Sequence, residues 1–189
     1  QIVQRHGRIR LLNLFMQICM AVAYAHARGV IHRDLKPANI MLGEFGEVFV
    51  MDWGLAKVVR SDVPVPVEGS RAEARFSTRV GHITGTPAYM SPEQAMGLVD
   101  ALSEATDIYA LGALLYELLT LHPPVSGPTT DAILRLVRQG AIVPPSAAHP
   151  QADVPPDLEA VIMRCLARDP SARFRSATEL RDEVEACLV

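Results

Sequence analysis

The chain has 189 residues and a mass of 20.6 kDa, which is enough for one domain with a sizeable core or for half of a larger domain. Hydrophobic residues make up 49% and charged residues 21% of the sequence, a balance that excludes wholesale disorder. A net charge of −3 and a pI of about 6.1 exclude the basic footprint typical of nucleic-acid-binding proteins, so nucleic acid is not an expected partner.

The cysteines and the first residues bear on the cellular compartment. Cys19, Cys165 and Cys187 lie far apart, which argues against a disulfide framework or a zinc cluster and predicts reduced thiols in the cytoplasm. The sequence begins with Gln1 and shows no charged-then-apolar leader. We therefore expect a piece of a longer cytoplasmic protein, whose other parts could include a membrane anchor.

The first third of the chain predicts one long helix followed by a β-hairpin. Apolar residues recur every three or four positions over residues 9–28, and Gly29 is placed to end that helix. Residues 40–42 and 48–51 are short apolar runs separated by a glycine-containing turn, as in a hairpin.

The remainder predicts one long loop and then four helices. Residues 58–86 combine a Pro-rich stretch with a polar run, which favours a mobile loop. The most apolar stretches, 11–25 and 110–121, contain polar residues and are too short to cross a bilayer, so no membrane segment is expected. Apolar periodicity predicts a mostly α-helical fold with helices at 103–120, 130–139, 156–167 and 177–188.

Three polar motifs stand between these elements. Residues 32–39 read His-Arg-Asp-Leu-Lys-Pro-Ala-Asn. Thirteen residues after Asn39, Asp52-Trp53-Gly54 follows the second apolar run of the hairpin. Residues 85–93 read Gly-Thr-Pro-Ala-Tyr-Met-Ser-Pro-Glu.

Together these motifs resemble the C-terminal lobe of a Hanks-type, eukaryotic-like serine/threonine protein kinase, most similar to the bacterial branch. The seven fixed positions within 32–39 would arise by chance on the order of once in 10^9 windows. The resemblance implies a protein-kinase-like fold over residues 1–189, with a catalytic loop at 32–39, an activation segment at 52–93 and a helical subdomain at 103–189. It also implies transfer of the γ-phosphate of ATP to serine and threonine hydroxyls of protein substrates.

The requirements of phosphoryl transfer agree with the residue types in the first two motifs. The resemblance implies that Asp34 is the catalytic base. Taken alone, this aspartate would be interpreted as a loop or helix-cap carboxylate. Lys36 can place an ammonium beside Asp34, where negative charge develops. Asn39 and Asp52 would bind Mg²⁺, which prefers hard oxygen ligands. ATP and Mg²⁺ are therefore the implied cofactors.

Two further assignments concern ATP and the substrate. By resemblance, Met41 would form the floor under the adenine of ATP, although a core methionine describes it equally well. Thr86 would hydrogen-bond near Asp34 and Lys36, and Thr86 with Lys36 marks serine/threonine rather than tyrosine kinases. A turn threonine before Pro87 is the alternative interpretation of Thr86.

Other residues resemble the architectural positions of the family. Asp107 would hold the backbone of His32 and Arg33, a role that is compatible with a helix cap. Glu93 would pair with Arg173, and a buried pair of this kind costs about 3–5 kcal/mol to break from one side.

The second motif departs from the family at one position. Trp53 stands where the family usually has phenylalanine, while Asp52 and Gly54 are retained, so we expect metal binding to survive. His32 and Trp53 would pack as apolar members of the core rather than act in chemistry. Ser91 replaces the usual alanine before the Pro-Glu pair, a change that we expect to be neutral.

The activation segment contains candidate phosphorylation sites. Ser77, Thr78 and Thr84 lie between the second and third motifs, and arginines flank two of them. In the family, an arginine in the position of Arg33 often meets such a phosphate through charge-assisted hydrogen bonds. An unmodified polar loop is the alternative.

The sequence lacks features that a complete kinase needs. No Gly-x-Gly occurs, and Lys36 and Lys57 are its two lysines, so neither a Gly-rich loop nor a strand lysine is recognisable. We therefore expect the N-terminal lobe to be missing from this chain, and the chain alone to bind ATP weakly. A non-catalytic kinase-lobe scaffold or binding module is the alternative function. A small-molecule phosphotransferase agrees less well with Lys36 and the third motif, which build a platform for protein substrates.

Overall fold

The computed structural model of this chain describes residues 2–58 and 86–188. This described part is mostly helical, as the sequence predicted, with short strands and 3₁₀ turns between the helices. The strands are β1 (Val30–Ile31), β2 (Ile40–Leu42), β3 (Val48–Val50) and β4 (Lys57–Val58). The helices are α1 (Ile2–His26), α2 (Pro92–Ala95), α3 (Glu104–Thr120), α4 (Thr130–Gln139), α5 (Pro145–Ala148), α6 (Pro156–Cys165) and α7 (Ala177–Ala186).

Helix α3 is the centre of the fold. It is apolar around most of its circumference, and Ile108, Leu111 and Leu115 are completely buried. Helix α6 packs on α3, while α1 contacts both α3 and α7. Gly112 permits the close approach of α3 and α6, because a Cβ atom there would overlap the Cβ of Cys165. The four helices therefore share one continuous apolar core.

Helix α1 begins earlier than the apolar pattern predicted. It starts at Ile2 rather than near residue 9, and it ends at His26, just before Gly29 adopts a left-handed conformation with φ 72°. The Arg8 guanidinium donates a hydrogen bond of 2.6 Å to the carbonyl of Asp153. This bond joins the second turn of α1 to a distant segment, and residues 2–8 are mostly polar, so the sequence shows no apolar periodicity there.

The length of α1 also corrects one expectation about membranes. The span Gly7–His26 is long and apolar enough to cross a bilayer, so the stretch is not too short for that purpose. The core helices of water-soluble proteins meet the same criterion. Leu12, Phe15, Cys19 and Val22 are buried in the core that α1 shares with α3 and α7. Length therefore does not exclude a membrane span, whereas burial places this helix in the protein core.

Two small antiparallel sheets set the positions of the polar segments. Strand β2 pairs with β3, with Met41 opposite Phe49, which confirms the predicted hairpin. Gly46 takes φ 90° in the hairpin turn, a conformation that favours glycine. Strand β1 pairs with β4, with Val30 opposite Val58. This second pairing was not predicted, because two-residue strands carry no readable alternation.

The starts of the later helices agree with the predictions because side chains cap them. Ser103 and Thr106 form a capping box at α3, and Thr129 and Ser176 cap α4 and α7. Helices α6 and α7 end at Cys165 and Ala186, two residues before the predicted ends at 167 and 188.

Candidate active site

Asp34 is held by side chains of its own loop. This loop runs from β1 to β2 through the 3₁₀ turn Pro37–Asn39. The Lys36 ammonium donates to Oδ2 of Asp34 at 2.7 Å. The Asn39 amide nitrogen donates to the Asp34 carbonyl at 2.7 Å and to Oδ2 at 3.2 Å. The carboxylate is therefore oriented and paired with a cation in a half-buried position.

Asn39 and Asp52 flank the two strands of the hairpin. The Met51 amide donates to the Asn39 carbonyl at 2.8 Å, so the residue directly before Asp52 is bonded to Asn39. Asp52 adopts a left-handed conformation, and its exposed carboxylate accepts from the Gly54 amide at 3.4 Å. Because the Asn39 amide nitrogen is bonded to Asp34, the amide oxygen can face another partner. An amide oxygen and an exposed carboxylate fit Mg²⁺, which takes few protein ligands and keeps several waters.

Asp107 connects the catalytic loop to helix α3. Its carboxylate is completely buried and accepts from the backbone amides of His32 and Arg33, both at 2.8 Å. The Nε2 atom of His26 lies 2.8 Å from the same carboxylate and donates to it, because an ionised carboxylate can only accept. Three donors thus satisfy one buried charge, which is the condition for keeping it ionised inside a protein.

His26 is a residue that sequence reasoning missed. It is buried at the end of α1, and its second ring nitrogen, Nδ1, has no hydrogen-bond partner among the described residues, with Glu104 3.9 Å away. A histidine near a helix end has no distinctive spacing, so the sequence alone gave no signal for it.

Arg33 occupies a strained backbone conformation. Its φ is 69°, which is uncommon for a residue other than glycine and costs about 1–3 kcal/mol. Besides the bond from its amide to Asp107, its Nε donates to the Leu55 carbonyl at 2.6 Å. Burial lowers the pKa of the Arg33 guanidinium, and the Asp107 charge opposes that shift.

His32 and Trp53 lie against each other, with ring centroids 4.5 Å apart. His32 is completely buried; its Nδ1 accepts from the Asp34 amide at 3.2 Å and its Nε2 donates to the Met51 carbonyl at 2.9 Å. These two bonds fix the tautomer of the ring. Trp53 is 37% exposed, and its Nε1 donates to the Val50 carbonyl at 2.9 Å. The indole nitrogen therefore has a partner although tryptophan replaces the usual phenylalanine.

Glu93 and Arg173 form a buried bidentate ion pair. The guanidinium donates to both carboxylate oxygens, at 2.8 and 2.9 Å, and the two residues are 3% and 2% exposed. Arg173 also donates to the carbonyls of Ala105 and Ala167, and Thr106 donates to Glu93 at 3.1 Å. Burial raises the pKa of Glu93, but the hydrogen bonds and charge of Arg173 outweigh it and leave the pKa lowered. The pair ties α2 to the loop between α6 and α7.

Two polar links near the third motif were not predicted. The Tyr89 hydroxyl donates to Glu117 of α3 at 2.5 Å, and burial together with this bond raises the pKa of Tyr89. The Gln94 side chain donates to the Arg33 carbonyl at 2.7 Å. Both residues lie within or next to the third motif, but contacts between distant segments are not readable from spacing.

Two further predicted site residues, Thr86 and Met41, are exposed. Thr86 is exposed at the start of the 3₁₀ turn Pro87–Tyr89, and within the described residues no hydrogen bond joins it to Asp34 or Lys36. Met41 is 50% exposed on the hairpin. The candidate phosphorylation sites fall outside the described residues: Ser77, Thr78 and Thr84.

Comparison with known proteins identifies the family of this chain. A family model described as a protein kinase domain matches residues 4–184. The chain is 39% identical over 184 residues to the serine/threonine-protein kinase PknD of Protochlamydia amoebophila, and 43% and 41% identical to the PknD proteins of Chlamydia felis and Chlamydia pneumoniae. These matches cover 94–95% of this chain but only 18–19% of the relatives' length. The chain belongs to the protein kinase family.

Proposed function

We propose that this chain carries the phosphotransfer half of a serine/threonine protein kinase. The γ-phosphate of ATP would pass to serine and threonine hydroxyls of protein substrates in the cytoplasm. The observation that carries the proposal is the cluster of Asp34, Lys36 and Asn39, joined by hydrogen bonds of 2.7–3.2 Å next to Asp52. Phosphoryl transfer requires a base, a cation and oxygen ligands for the metal ion in one place.

In this mechanism, Asp34 accepts the proton of the attacking hydroxyl. The hydrogen bonds from Asn39 keep the carboxylate oriented, and the Lys36 ammonium offsets the negative charge that develops on the transferred group. Asn39 and Asp52 would hold Mg²⁺, whose charge would neutralise the phosphates of ATP when it is bound. Thr86 would face the same hydroxyl once the substrate is in place.

ATP binding would be completed by an N-terminal lobe that lies outside these 189 residues. The support is the hairpin face, the exposed apolar side chains of β2, β3 and their turn: Met41, Phe45 and Phe49. Phe45 is 92% exposed, and Met41, the proposed floor under adenine, is 50% exposed. Exposed apolar surface of this kind marks an interaction site. The curated relatives are also much longer than this chain.

The regulatory assignments are part of the same proposal. The activation segment would be residues 52–93, with Ser77, Thr78 or Thr84 phosphorylated and Arg33 receiving the phosphate. Phosphosite mapping of the full-length protein tests this: a phosphate within residues 71–86 would support it, and its complete absence there would contradict it.

The decisive experiment is a kinase assay of the full-length protein with the variant Asp34→Asn. We expect kcat to fall by about 10²–10⁴-fold, the usual contribution of a general base. Asp100→Asn, which neutralises an exposed carboxylate in the turn Val99–Ala101, is the matched control and should keep full activity. Activity that Asp34→Asn leaves unchanged would contradict the role of Asp34, and a wild-type protein without kinase activity would favour a scaffold instead.

The same assay on the 189-residue chain tests the missing lobe. We expect weak ATP binding and little or no transfer, because Met41 would have no opposing roof. Robust phosphorylation that depends on Asp34 would contradict this part of the proposal while leaving the kinase activity itself supported.

A further inference from the structure

Gln94 bridges two parts of the molecule that are 61 residues apart. It is the third residue of α2, where its Oε1 accepts from the Ser91 amide at 3.0 Å and completes a capping box. Its Nε2 donates to the Arg33 carbonyl at 2.7 Å. Both halves of one side-chain amide are thus occupied. Exchanging oxygen and nitrogen would break both bonds, so the orientation of the amide is defined.

The bond to the Arg33 carbonyl acts on the peptide group directly before the Asp34 side chain. A peptide group is planar, so fixing its oxygen and its nitrogen fixes the whole plane. Gln94 holds the oxygen at 2.7 Å, and Nδ1 of His32 accepts from the nitrogen, the Asp34 amide, at 3.2 Å. The Cα of Asp34 belongs to this same plane, and therefore the direction of its side chain depends on both contacts.

The strained conformation of Arg33 makes such a contact necessary. With φ at 69°, the Arg33 backbone needs surrounding bonds that exclude the more favourable conformations. Asp107 holds the amide side of Arg33 at 2.8 Å, and Gln94 holds the carbonyl side. Removing the bond to the carbonyl weakens the restraint on that side of the strained residue.

We infer that Gln94 is a positioning residue for phosphoryl transfer, which orients Asp34 through the peptide between Arg33 and Asp34. The inference rests on the proposed function, because it gives Asp34 the role of base. Gln94 would also couple α2, which the Glu93–Arg173 pair anchors, to the catalytic loop. The competing explanation is that Gln94 only caps α2.

The variant Gln94→Glu separates these two roles. A carboxylate at the third helical position still accepts from the Ser91 amide, so the cap is retained. It cannot donate to the Arg33 carbonyl while ionised, so the contact to the catalytic loop is lost. Ser91→Ala is the matched control, because it removes the hydroxyl part of the cap and keeps the Gln94–Arg33 bond.

In the full-length protein, we expect Gln94→Glu to lower kcat by about 10–100-fold with KM for ATP within twofold, the signature of a misplaced catalytic group. Ser91→Ala should keep kcat within twofold. A merely structural defect would instead lower the melting temperature of the variant together with its kcat.

Gln94→Met provides a second test that adds no charge, and thermal unfolding of each variant identifies loss of fold. A kcat within twofold of wild type for both Gln94 variants would overturn the inference, as would equal losses for Gln94→Glu and Ser91→Ala. The Asp34→Asn variant in the same assay isolates the proposed function. If that variant is inactive while the Gln94 variants are unaffected, only the inference fails; if it is active, the proposed function itself fails.

Discussion

Two regions of the molecule differ in how far their side chains are covered. One is the buried anchor formed by Glu93 and Arg173, and the other is the exposed hairpin face of β2 and β3. In the anchor, Arg173 donates hydrogen bonds to the Glu93 carboxylate and to a neighbouring carbonyl, so the polar groups of the pair are bonded within the chain. On the hairpin face, large apolar side chains point to solvent, with Phe45 92% exposed. The anchor is therefore satisfied within the chain, whereas the proposed function requires another lobe to cover the hairpin face. Four experiments test this difference.

The largest effect is expected from Arg173→Met. This change leaves the Glu93 carboxylate buried without its cation, which costs about 3–5 kcal/mol of unfolding free energy. Urea denaturation of the 189-residue chain measures the loss. Arg164→Met is the matched control, because its partner Glu179 is partly exposed and such pairs contribute less than about 1 kcal/mol. Similar losses for the two variants would contradict the anchor.

The close contact of α3 and α6 is tested by Gly112→Ala. The added methyl group would overlap the Cβ of Cys165, so the helices must separate, at a cost of about 1–3 kcal/mol. Gly7→Ala is the control within α1, where the added Cβ meets no atom within 4 Å and the better helix propensity should stabilise by up to about 1 kcal/mol. A rise in both melting temperatures would show that helix propensity rather than packing decides.

The anchor also predicts a pH dependence. The pKa of Glu93 is lower in the folded chain than its ordinary value of 4.5, so its contribution to stability is present above that value. The contribution is lost as the pH falls below about 4.5 and through the lowered folded pKa. The unfolding free energy of Glu93→Gln should therefore fall less steeply between pH 5 and pH 3 than that of the wild-type chain. If the unfolding free energies of both proteins fall in parallel, groups other than Glu93 cause the acid sensitivity.

The smallest effect on the isolated chain is expected at the hairpin face. Phe45→Ser should change the unfolding free energy of the 189 residues by less than about 0.5 kcal/mol, as exposed substitutions do. In the full-length protein the same change should cost more, because another lobe would cover the side chain. Val143→Ser, 51% exposed, should have small effects in both proteins. Equal effects of Phe45→Ser in both would contradict a covered hairpin.

The sequence predicts the helices that begin after a capping serine or threonine. Helices α3, α4 and α7 have Ser103, Thr129 and Ser176 as caps before apolar periodic runs, and their first residues agree with the prediction. The start of α1 was missed because residues 2–8 are mostly polar and show no apolar periodicity in the sequence. The pairing of β1 with β4 was missed because strands of two residues have no periodicity.

The candidate site was predictable only in part, for a similar reason. The motifs name Asp34, Lys36 and Asn39, which lie within a few residues of each other and whose contacts are local. His26 bonds to Asp107, which is 81 residues away, and Gln94 bonds to the Arg33 carbonyl, which is 61 residues away; no local pattern marks either contact. Tertiary contacts of this kind become visible only when the fold brings the segments together.

The attachment of the catalytic loop to Asp107 has a consequence for solvent exchange and for the order of folding. The amides of His32 and Arg33 donate to a carboxylate that is 75 and 74 residues away and completely buried in the central helix. Amides bonded to the core exchange with deuterium only through large openings, whereas most loop amides exchange through small local ones. This loop should thus exchange as slowly as α3. Because these contacts join residues that are far apart in the sequence, the loop should become ordered only after the local helices have formed.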